Sequence, residues 1–183
     1  MSASPITLTE LRNALNHVPR VQLGHLPTPL EPMRNLSRKL GGPTIWIKRD
    51  DCTGLAFGGN KTRHNEYLMG EALAAGADMF VWGAGVQSNN CRQTVAACAK
   101  AGLDCNLVLS TAHRPEGESG APEPQGNLLL DQLMGASIEF SEAEIGEPLD
   151  AVIAERSAEF REKGRRPFEW NRYSVKATAA IGY

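Results

Sequence analysis

The stretch MFVWGAGVQSNNCRQTVAACAKA, residues 79–101, decides the fold because an apolar run leads through a glycine-rich turn into a predicted helix. Residues 79–82 are apolar and bulky, which is typical of a buried strand. Residues 89–101 are predicted to be helical, and Ser88 in front of them is a favourable N-cap. A strand that runs directly into a helix is the building unit of an α/β protein.

The same unit recurs on both sides of this stretch. In three segments a helix-ending glycine precedes a short apolar strand: AAGADMFVW from residue 74, KAGLDCNLVLS from 100 and LMGASIEF from 133. The helices that separate these strands are predicted at 62–75, 89–101, 126–134 and 149–163. The strands are therefore most simply parallel, with right-handed crossovers. Residues 111–125 have no periodicity and are predicted to form a surface loop.

The segment before residue 52 has a different pattern. Thr7 and Glu10 have the spacing of a capping box and predict a short helix that Pro19 ends. A second helix is predicted over 31–40, before Gly41. The β-branched and aromatic run at 44–48 predicts a strand.

Composition and charge limit the possible partners. The chain has 183 residues, a formal net charge of -2 and 42% hydrophobic residues, so we expect a globular protein that binds neither nucleic acid nor membranes. The start lacks a leader pattern, and a cytoplasmic location is expected. The four cysteines lack metal-binding spacing, so we predict no metal site and buried free thiols.

The first candidate site is the turn GGNKTR, residues 58–63. Its glycines allow close backbone approach, and Lys61 follows them at the start of a helix. A lysine that forms a covalent bond with a carbonyl cofactor needs this closeness and partial desolvation. A solvated lysine at a helix start is the alternative.

The second candidate site is GAGVQSNN, residues 83–90, between the strand and the helix. Glycines and unpaired N–H groups at a helix start favour an anion such as a carboxylate or phosphate. An ordinary strand-to-helix turn with a capping serine is the alternative. A dinucleotide fingerprint is disfavoured, because Ser88 replaces its third glycine and the next strand ends at Ser110 without an acidic residue.

Three stretches carry a resemblance to a known family: LGHLPTPLEPMRNLSRKLGG (23–42), IWIKRDDCTGLAFGGNKTRHNEYL (45–68) and GAGVQSNNCRQTVAACAKAGLDCNLVL (83–109). In order and spacing the chain resembles the N-terminal half of the D-cysteine desulfhydrase / 1-aminocyclopropane-1-carboxylate deaminase family, fold-type II enzymes that depend on pyridoxal 5'-phosphate. The resemblance implies a three-layer α/β domain with a parallel sheet, of the tryptophan synthase β-like architecture. Residues 52–165 would form this smaller domain, and 1–51 and 166–183 would belong to an incomplete larger cofactor domain.

The resemblance also implies roles for individual residues. Lys61 would bind the cofactor covalently and then act as the base at the substrate's α-carbon. Asn89 would bond the cofactor's phenolic oxygen, and Ser88 with neighbouring amides would hold the substrate carboxylate. His64 stands where the family usually has a lysine near the cofactor phosphate, and Asn90 stands where it usually has His or Gln beside the substrate.

The implied reaction is β-elimination from D-cysteine to pyruvate, ammonia and sulfide. Aminocyclopropane-carboxylate deaminase and cysteate sulfo-lyase activities are alternatives, and a homodimer is possible in this family. Because the chain ends at Tyr183, where about half of a usual member would follow, a truncated non-catalytic remnant is the main rival. A nucleotide-binding module is the weaker rival.

Overall fold

The computed structural model describes residues 5–113, 120–169 and 174–183. Helices and strands follow one another as α1 Leu8–Leu15, β1 Leu30–Pro32, α2 Arg34–Leu40, β2 Trp46–Lys48, α3 Lys61–Ala74, β3 Met79–Gly85, α4 Asn89–Ala101, β4 Asp104–Ser110, α5 Gly126–Leu133, β5 Ser137–Ser141, α6 Glu147–Glu162, β6 Pro167–Glu169 and α7 Ser174–Ala180. Short 3-10 turns cover Asp50–Thr53 and Leu55–Phe57. The predicted helices at 62–75, 89–101, 126–134 and 149–163 are confirmed to within two residues at each end.

The main sheet is parallel, as predicted, with strand order β5-β4-β3-β6. Strand β3 pairs with β4 from Met79 opposite Asp104 to Gly85 opposite Ser110, so β3 continues past the predicted end at residue 82. Position 83, between β4 and α6, has room only for glycine, because an added Cβ atom would lie 2.5 Å from the carbonyl oxygen of Val108. The strand thus carries its glycine turn directly to the start of α4.

Side chains of the sheet alternate between two apolar layers. Phe80, Trp82, Leu107 and Leu109 share one buried cluster with residues of α3, α4 and α5. Met79, Val81 and Val108 lie in the other cluster, with Leu149 and Ile153 of α6. Successive residues of a strand point to opposite faces, so helices cover this sheet on both sides. The predicted three-layer arrangement is confirmed.

The segment before residue 52 forms a separate two-stranded antiparallel pair. The predicted helix over 31–40 is wrong at its start, because Leu30–Pro32 is strand β1 and the helix begins at Arg34. Glu31 pairs with Ile47 of β2, and the N–H of Met33 donates to Ile45 at 2.8 Å. Hydrogen bonds to β2 thus satisfy the backbone N–H and C=O groups that would otherwise have bonded within the predicted helix. The Thr7–Glu10 capping box is confirmed.

Strand β6 lies beyond residue 165, where the predicted smaller domain ends, and pairs in parallel with β3. The sheet therefore includes residues from the segment 166–183, while the rest of the predicted domain division stays a prediction. Part of the predicted loop at 111–125, namely 114–119, lies outside the described residues. No helix in the described ranges is long and apolar enough to cross a membrane.

Cysteines behave as predicted in the core but not at the surface. Cys91, Cys98 and Cys105 are buried free thiols, whereas Cys52 is exposed on a 3-10 turn and corrects that expectation. Among the residues that the structure describes, no group of three or more His, Cys, Asp or Glu side chains could hold a metal ion.

Candidate functional site

The turn before Lys61, residues 56–60, is called the lysine turn below. It is a tight backbone structure that requires glycine. Gly58 has φ 75° and ψ 179°, a region that is nearly exclusive to glycine. A Cβ atom there would lie 1.9 Å from the carbonyl oxygen of Asp51. The hydroxyl of Thr53 accepts from the Gly59 N–H at 2.9 Å and donates to the Gly59 carbonyl at 3.0 Å. This turn therefore fixes where α3 begins.

Lys61 is the first residue of α3 and is half-buried. The two residues after it anchor the first helical turn. Thr62 donates to Gln93 of α4, and Arg63 donates to both carboxylate oxygens of Asp50 at 2.9 and 2.8 Å. Within the described residues, no hydrogen bond or ion pair involves the Lys61 amine. The backbone of Lys61 is held while its amine stays available.

The second turn ends in the cap that the sequence predicts. Ser88 is the N-cap of α4, and its hydroxyl accepts from the Cys91 N–H at 3.2 Å. The first N–H groups of a helix have no partner within the helix, and the helix dipole places positive charge there. Because Asn89 and Asn90 are the first residues of α4, Ser88, Asn89 and Asn90 lie together at an end of the helix that favours an anion.

Two side chains of α4 connect the two turns. The guanidinium of Arg92 donates to the carbonyls of Ala56 and Gly58 in the lysine turn and, at 3.3 Å, to the side-chain oxygen of Asn89. The side-chain amide of Gln93 donates to the Asn89 carbonyl at 3.2 Å while its oxygen accepts from Thr62. Arg92 and Gln93 thus hold the lysine turn and the asparagine turn (residues 88–90) together.

The lysine turn is also conformationally strained. Ala56 and Phe57 have φ angles of 45° and 67°, which are unfavourable for residues with a side chain. Arg92 holds the Ala56 carbonyl, and the Phe57 side chain is 79% exposed. Strained residues of this kind persist only where the surroundings impose them and are frequent near functional sites.

His64 lies one turn after Lys61 and faces the sheet. It is buried, and its ring approaches the Trp82 ring edge-on with centroids 6.4 Å apart. Burial, helped by the nearby Lys61 ammonium, lowers the pKa of His64 to about 4. Its Nε2 atom has no hydrogen-bond partner among the described residues. The imidazole is therefore neutral at physiological pH and brings no positive charge to an anion.

Asp131 of α5 is an acidic group that interacts electrostatically with Arg92. Sequence reasoning missed it. It is fully buried, and within the described residues neither carboxylate oxygen has a hydrogen-bond partner. Burial raises the pKa of Asp131 to about 7, against the attraction of Arg92. Burial likewise lowers the pKa of Arg92, and Asp131 opposes that effect.

Sequence reasoning also missed Arg92, Gln93 and Asn127, which position the predicted residues. For the first two a signal was available, since they follow Asn89 by three and four positions, the spacing that places side chains on the same helix face. For Asn127 there was none, because the loop before it is long and its contact with Asn89 joins residues 38 positions apart. The side-chain oxygen of Asn90 is buried without a partner in the described part of the chain.

Known proteins resemble this chain in sequence and in fold. Residues 21–183 match the family described as "Pyridoxal-phosphate dependent enzyme". A "Putative 1-aminocyclopropane-1-carboxylate deaminase" of Pyrococcus horikoshii is 38% identical over 165 residues, which are 90% of this chain and 48% of that protein. A "1-aminocyclopropane-1-carboxylate deaminase" of Burkholderia cenocepacia is 46% identical over 126 residues, covering 68% of this chain and 37% of that protein.

A solved structure described as an "ACC deaminase homologue" has the same fold. It superposes with a TM-score of 0.83 at 36% sequence identity, over 94% of this chain and 50% of that one. The chain thus spans about half the length of this structure and half or less of the curated relatives that it matches.

Proposed function

Because the chain belongs to the pyridoxal-phosphate dependent enzymes, we propose that its lysine turn and asparagine turn form part of a site for pyridoxal 5'-phosphate and a small amino acid. Pyridoxal phosphate is the cofactor of this family, and the fold is that of its fold-type II members. One observation carries the proposal: Arg92 and Gln93 tie the segment that bears Lys61 to the segment that bears Ser88 and Asn89.

The residues present fit such a group chemically. The amine of Lys61 has no partner within the described residues and can react with an aldehyde. The start of α4 offers N–H groups and positive dipole charge to an anion. The buried oxygen of Asn90 lacks a partner in the described part of the chain and could accept a hydrogen bond from a ligand. An amine, amide donors and an unpaired acceptor are thus carried by two turns that Arg92 and Gln93 hold together.

The roles that we assign follow from these positions. Lys61 binds the cofactor covalently and, once released, moves the proton at the substrate's α-carbon. Asn89 donates to the phenolic oxygen of the cofactor, and Ser88 with the first N–H groups of α4 holds the substrate carboxylate. Asn90 lies beside the substrate. When bound, pyridoxal phosphate supplies the electron sink for negative charge at the α-carbon.

His64 has the least support among the assigned residues. Its buried, neutral ring can give one hydrogen bond to the cofactor phosphate but no charge. Burial at this position lowers the pKa of a basic side chain and so favours its neutral form. We keep His64 as a neutral neighbour of the phosphate.

We propose a lyase or deaminase reaction, with β-elimination from D-cysteine as the first candidate. Ring opening and deamination of 1-aminocyclopropane-1-carboxylate is the second candidate, favoured by the names of the relatives above. Pyruvate would form from D-cysteine and a four-carbon 2-oxo acid from the cyclopropane substrate, so assaying both products separates the candidates. No Lys61-dependent product from either substrate, although the cofactor is bound, would favour the non-catalytic remnant.

Covalent labelling tests the cofactor proposal directly. The chain is incubated with pyridoxal phosphate, reduced with borohydride to trap any covalent link to a lysine, and mapped by peptide mass spectrometry. The adduct is expected on Lys61, absent from the Lys61→Ala variant and unchanged in Lys39→Ala, which removes an exposed lysine of α2. An adduct mainly on Lys48 or Lys100 would contradict the assignment.

The cytoplasmic location and a homodimer stay predictions. Size-exclusion chromatography with light scattering would measure the oligomeric state of the chain.

A further inference from the structure

We propose that Asn127 is a positioning residue, which fixes the orientation of the Asn89 amide so that its N–H2 group, and not its oxygen, faces the cofactor. The proposal rests on the proposed function, because it concerns the same site. Asn127 is the second residue of α5, and it reaches Asn89 across the gap between α5 and the start of α4.

The orientation of the Asn127 amide is determined by backbone atoms that can only accept or can only donate a hydrogen bond. Its nitrogen Nδ2 donates at 2.8 Å to the backbone carbonyl of Gln87, which can only accept. The same nitrogen donates at 3.1 Å to Oδ1 of Asn89. The backbone N–H of Asn127, which can only donate, binds the side-chain oxygen of Gln87 at 2.9 Å. Gln87 thus holds Asn127 through both its backbone and its side chain.

The orientation of the Asn89 amide follows from its two donors. Arg92 Nη2 lies 3.3 Å from Asn89 Oδ1, and a guanidinium has no acceptor, so the Asn89 atom that faces Arg92 must be the oxygen. Asn127 donates to that same oxygen. With both contacts on Oδ1, the Nδ2 group of Asn89 has no acceptor within the described residues, and its two hydrogens remain for a ligand.

This orientation decides the sign of the interaction with an anionic oxygen. An N–H2 group donates a charge-assisted hydrogen bond to the deprotonated phenolic oxygen of the cofactor. A flipped amide would place its carbonyl oxygen against that anion, which is repulsive. The contacts from Arg92 and Asn127 therefore select the favourable state.

Replacement of Asn127 by aspartate is the sharpest test because it reverses the polarity at the same size. A carboxylate at 127 cannot donate to Asn89 Oδ1 but can accept from Asn89 Nδ2, so Asn127→Asp favours the flipped amide. Asn127→Ala removes the donor and leaves Arg92 in place, so its effect should be smaller. Asn35→Asp adds the same charge at an exposed position of α2 and serves as the control.

The first measurement needs no cofactor. Side-chain amide signals are recorded by NMR on the full chain labelled with ¹⁵N-asparagine, and Asn89 is assigned from its loss in Asn89→Ala. In Asn127→Asp one amide hydrogen of Asn89 should move downfield as it binds the carboxylate, while Asn35→Asp leaves the Asn89 pair unchanged. An Asn89 pair that is unchanged in Asn127→Asp would overturn the proposal.

The second measurement is the dissociation constant for pyridoxal phosphate, followed by quenching of tryptophan fluorescence. Loss of a hydrogen bond to a charged group weakens binding by about tenfold or more, and this is expected for Asn127→Asp, with a smaller loss for Asn127→Ala. Equal affinity of wild type and Asn127→Asp would also overturn the proposal. If the wild-type chain binds no cofactor, the proposed function fails, and the NMR result alone decides the orientation of Asn89.

Discussion

The side-chain oxygen of Gln93 accepts two hydrogen bonds from Thr62, one from its backbone N–H at 2.9 Å and one from its hydroxyl at 3.2 Å. Thr62 is the residue after Lys61, and both partners are buried. The N–H of Thr62 is one of the first in α3, which no helical carbonyl can satisfy. Gln93 of α4 therefore acts as the cap of the helix that carries the lysine.

Gln93→Ala should destabilise the chain and loosen the lysine turn. The substitution removes the 2.9 Å hydrogen bond and leaves the buried N–H of Thr62 only a longer contact, 3.3 Å, with the carbonyl of Gly59. A loss of about 1 kcal/mol is therefore expected. Urea denaturation measures the loss, and Gln132→Ala, an exposed glutamine of α5, is the control with little expected effect. The yield of borohydride-trapped adduct on Lys61 should fall as well. Equal stability of both variants would show that Gln93 is not a cap.

Gly58→Ala should prevent the lysine turn from forming. An added methyl group would lie 1.9 Å from the Asp51 carbonyl oxygen, in a backbone region that disfavours alanine. Gly102→Ala is the matched control, because Gly102 also has φ 75° but nothing lies within 4 Å of its Cβ position. That control should cost about 1 kcal/mol. A Gly58→Ala chain that unfolds at the same urea concentration as Gly102→Ala would contradict this account.

The sequence predicted the fold well where one local pattern determines each element. Ser88 as N-cap and α4 at Asn89–Ala101 are confirmed, because capping and helix propensity act within a few residues. The start of α2 was wrong, since Glu31 and Pro32 pair with β2, a contact that no local pattern shows. Cys52 was expected to be buried but is exposed on the 3-10 turn Asp50–Thr53.

The sequence located the two turns of the candidate site but not the contacts that hold them in place. The resemblance to the family and its cofactor is confirmed by the comparisons, whereas the individual roles of Lys61, His64, Ser88, Asn89 and Asn90 stay predictions. The supporting contacts of Arg92, Gln93 and Asn127 depend on how α3, α4 and α5 pack together. Packing brings together residues that are distant in the chain, so a single sequence does not specify these contacts.

His64 should make the chain sensitive to acid. Its pKa is about 4 in the folded chain, below the value of about 6.5 for an unperturbed histidine. As pH falls below about 6.5, the unfolded chain gains a proton that the folded chain does not. The free energy of unfolding therefore decreases by roughly 3 kcal/mol between about pH 6.5 and about pH 4.

His64→Gln should remove this contribution. The difference in free energy of unfolding between the variant and the wild type is measured by urea denaturation at pH values from 7 down to 4, and it should shift in favour of the variant as pH falls. His113→Gln, at an exposed histidine, should show no such shift. A constant difference for His64→Gln would mean that His64 is accessible to protons in the folded chain.

Asp131 should have the opposite dependence on pH. Its pKa in the folded chain is raised to about 7 from 3.8, so the folded state retains a proton that the unfolded state has already released. The stability linked to this proton is fully present below about pH 4 and is lost as pH rises through 7. Arg92 faces Asp131 with an opposite charge, and the buried thiols of Cys91 and Cys105 are near enough for Asp131 to raise their pKa further.

Asp131→Asn tests this dependence, since asparagine has a similar size and does not ionise. Relative to the wild type, the variant should gain roughly 2–4 kcal/mol in free energy of unfolding between pH 4 and pH 8, because only the wild type must bury a carboxylate charge at the higher pH. Glu142→Gln, at an exposed carboxylate, is the control and should give no such gain. Arg92 also holds Ala56, Gly58 and Asn89, so the ionisation of Asp131 acts on a residue that supports the proposed cofactor site. If the stabilities of the Asp131→Asn chain and the wild type run parallel across this range, Asp131 is already ionised at low pH and pairs with Arg92 throughout.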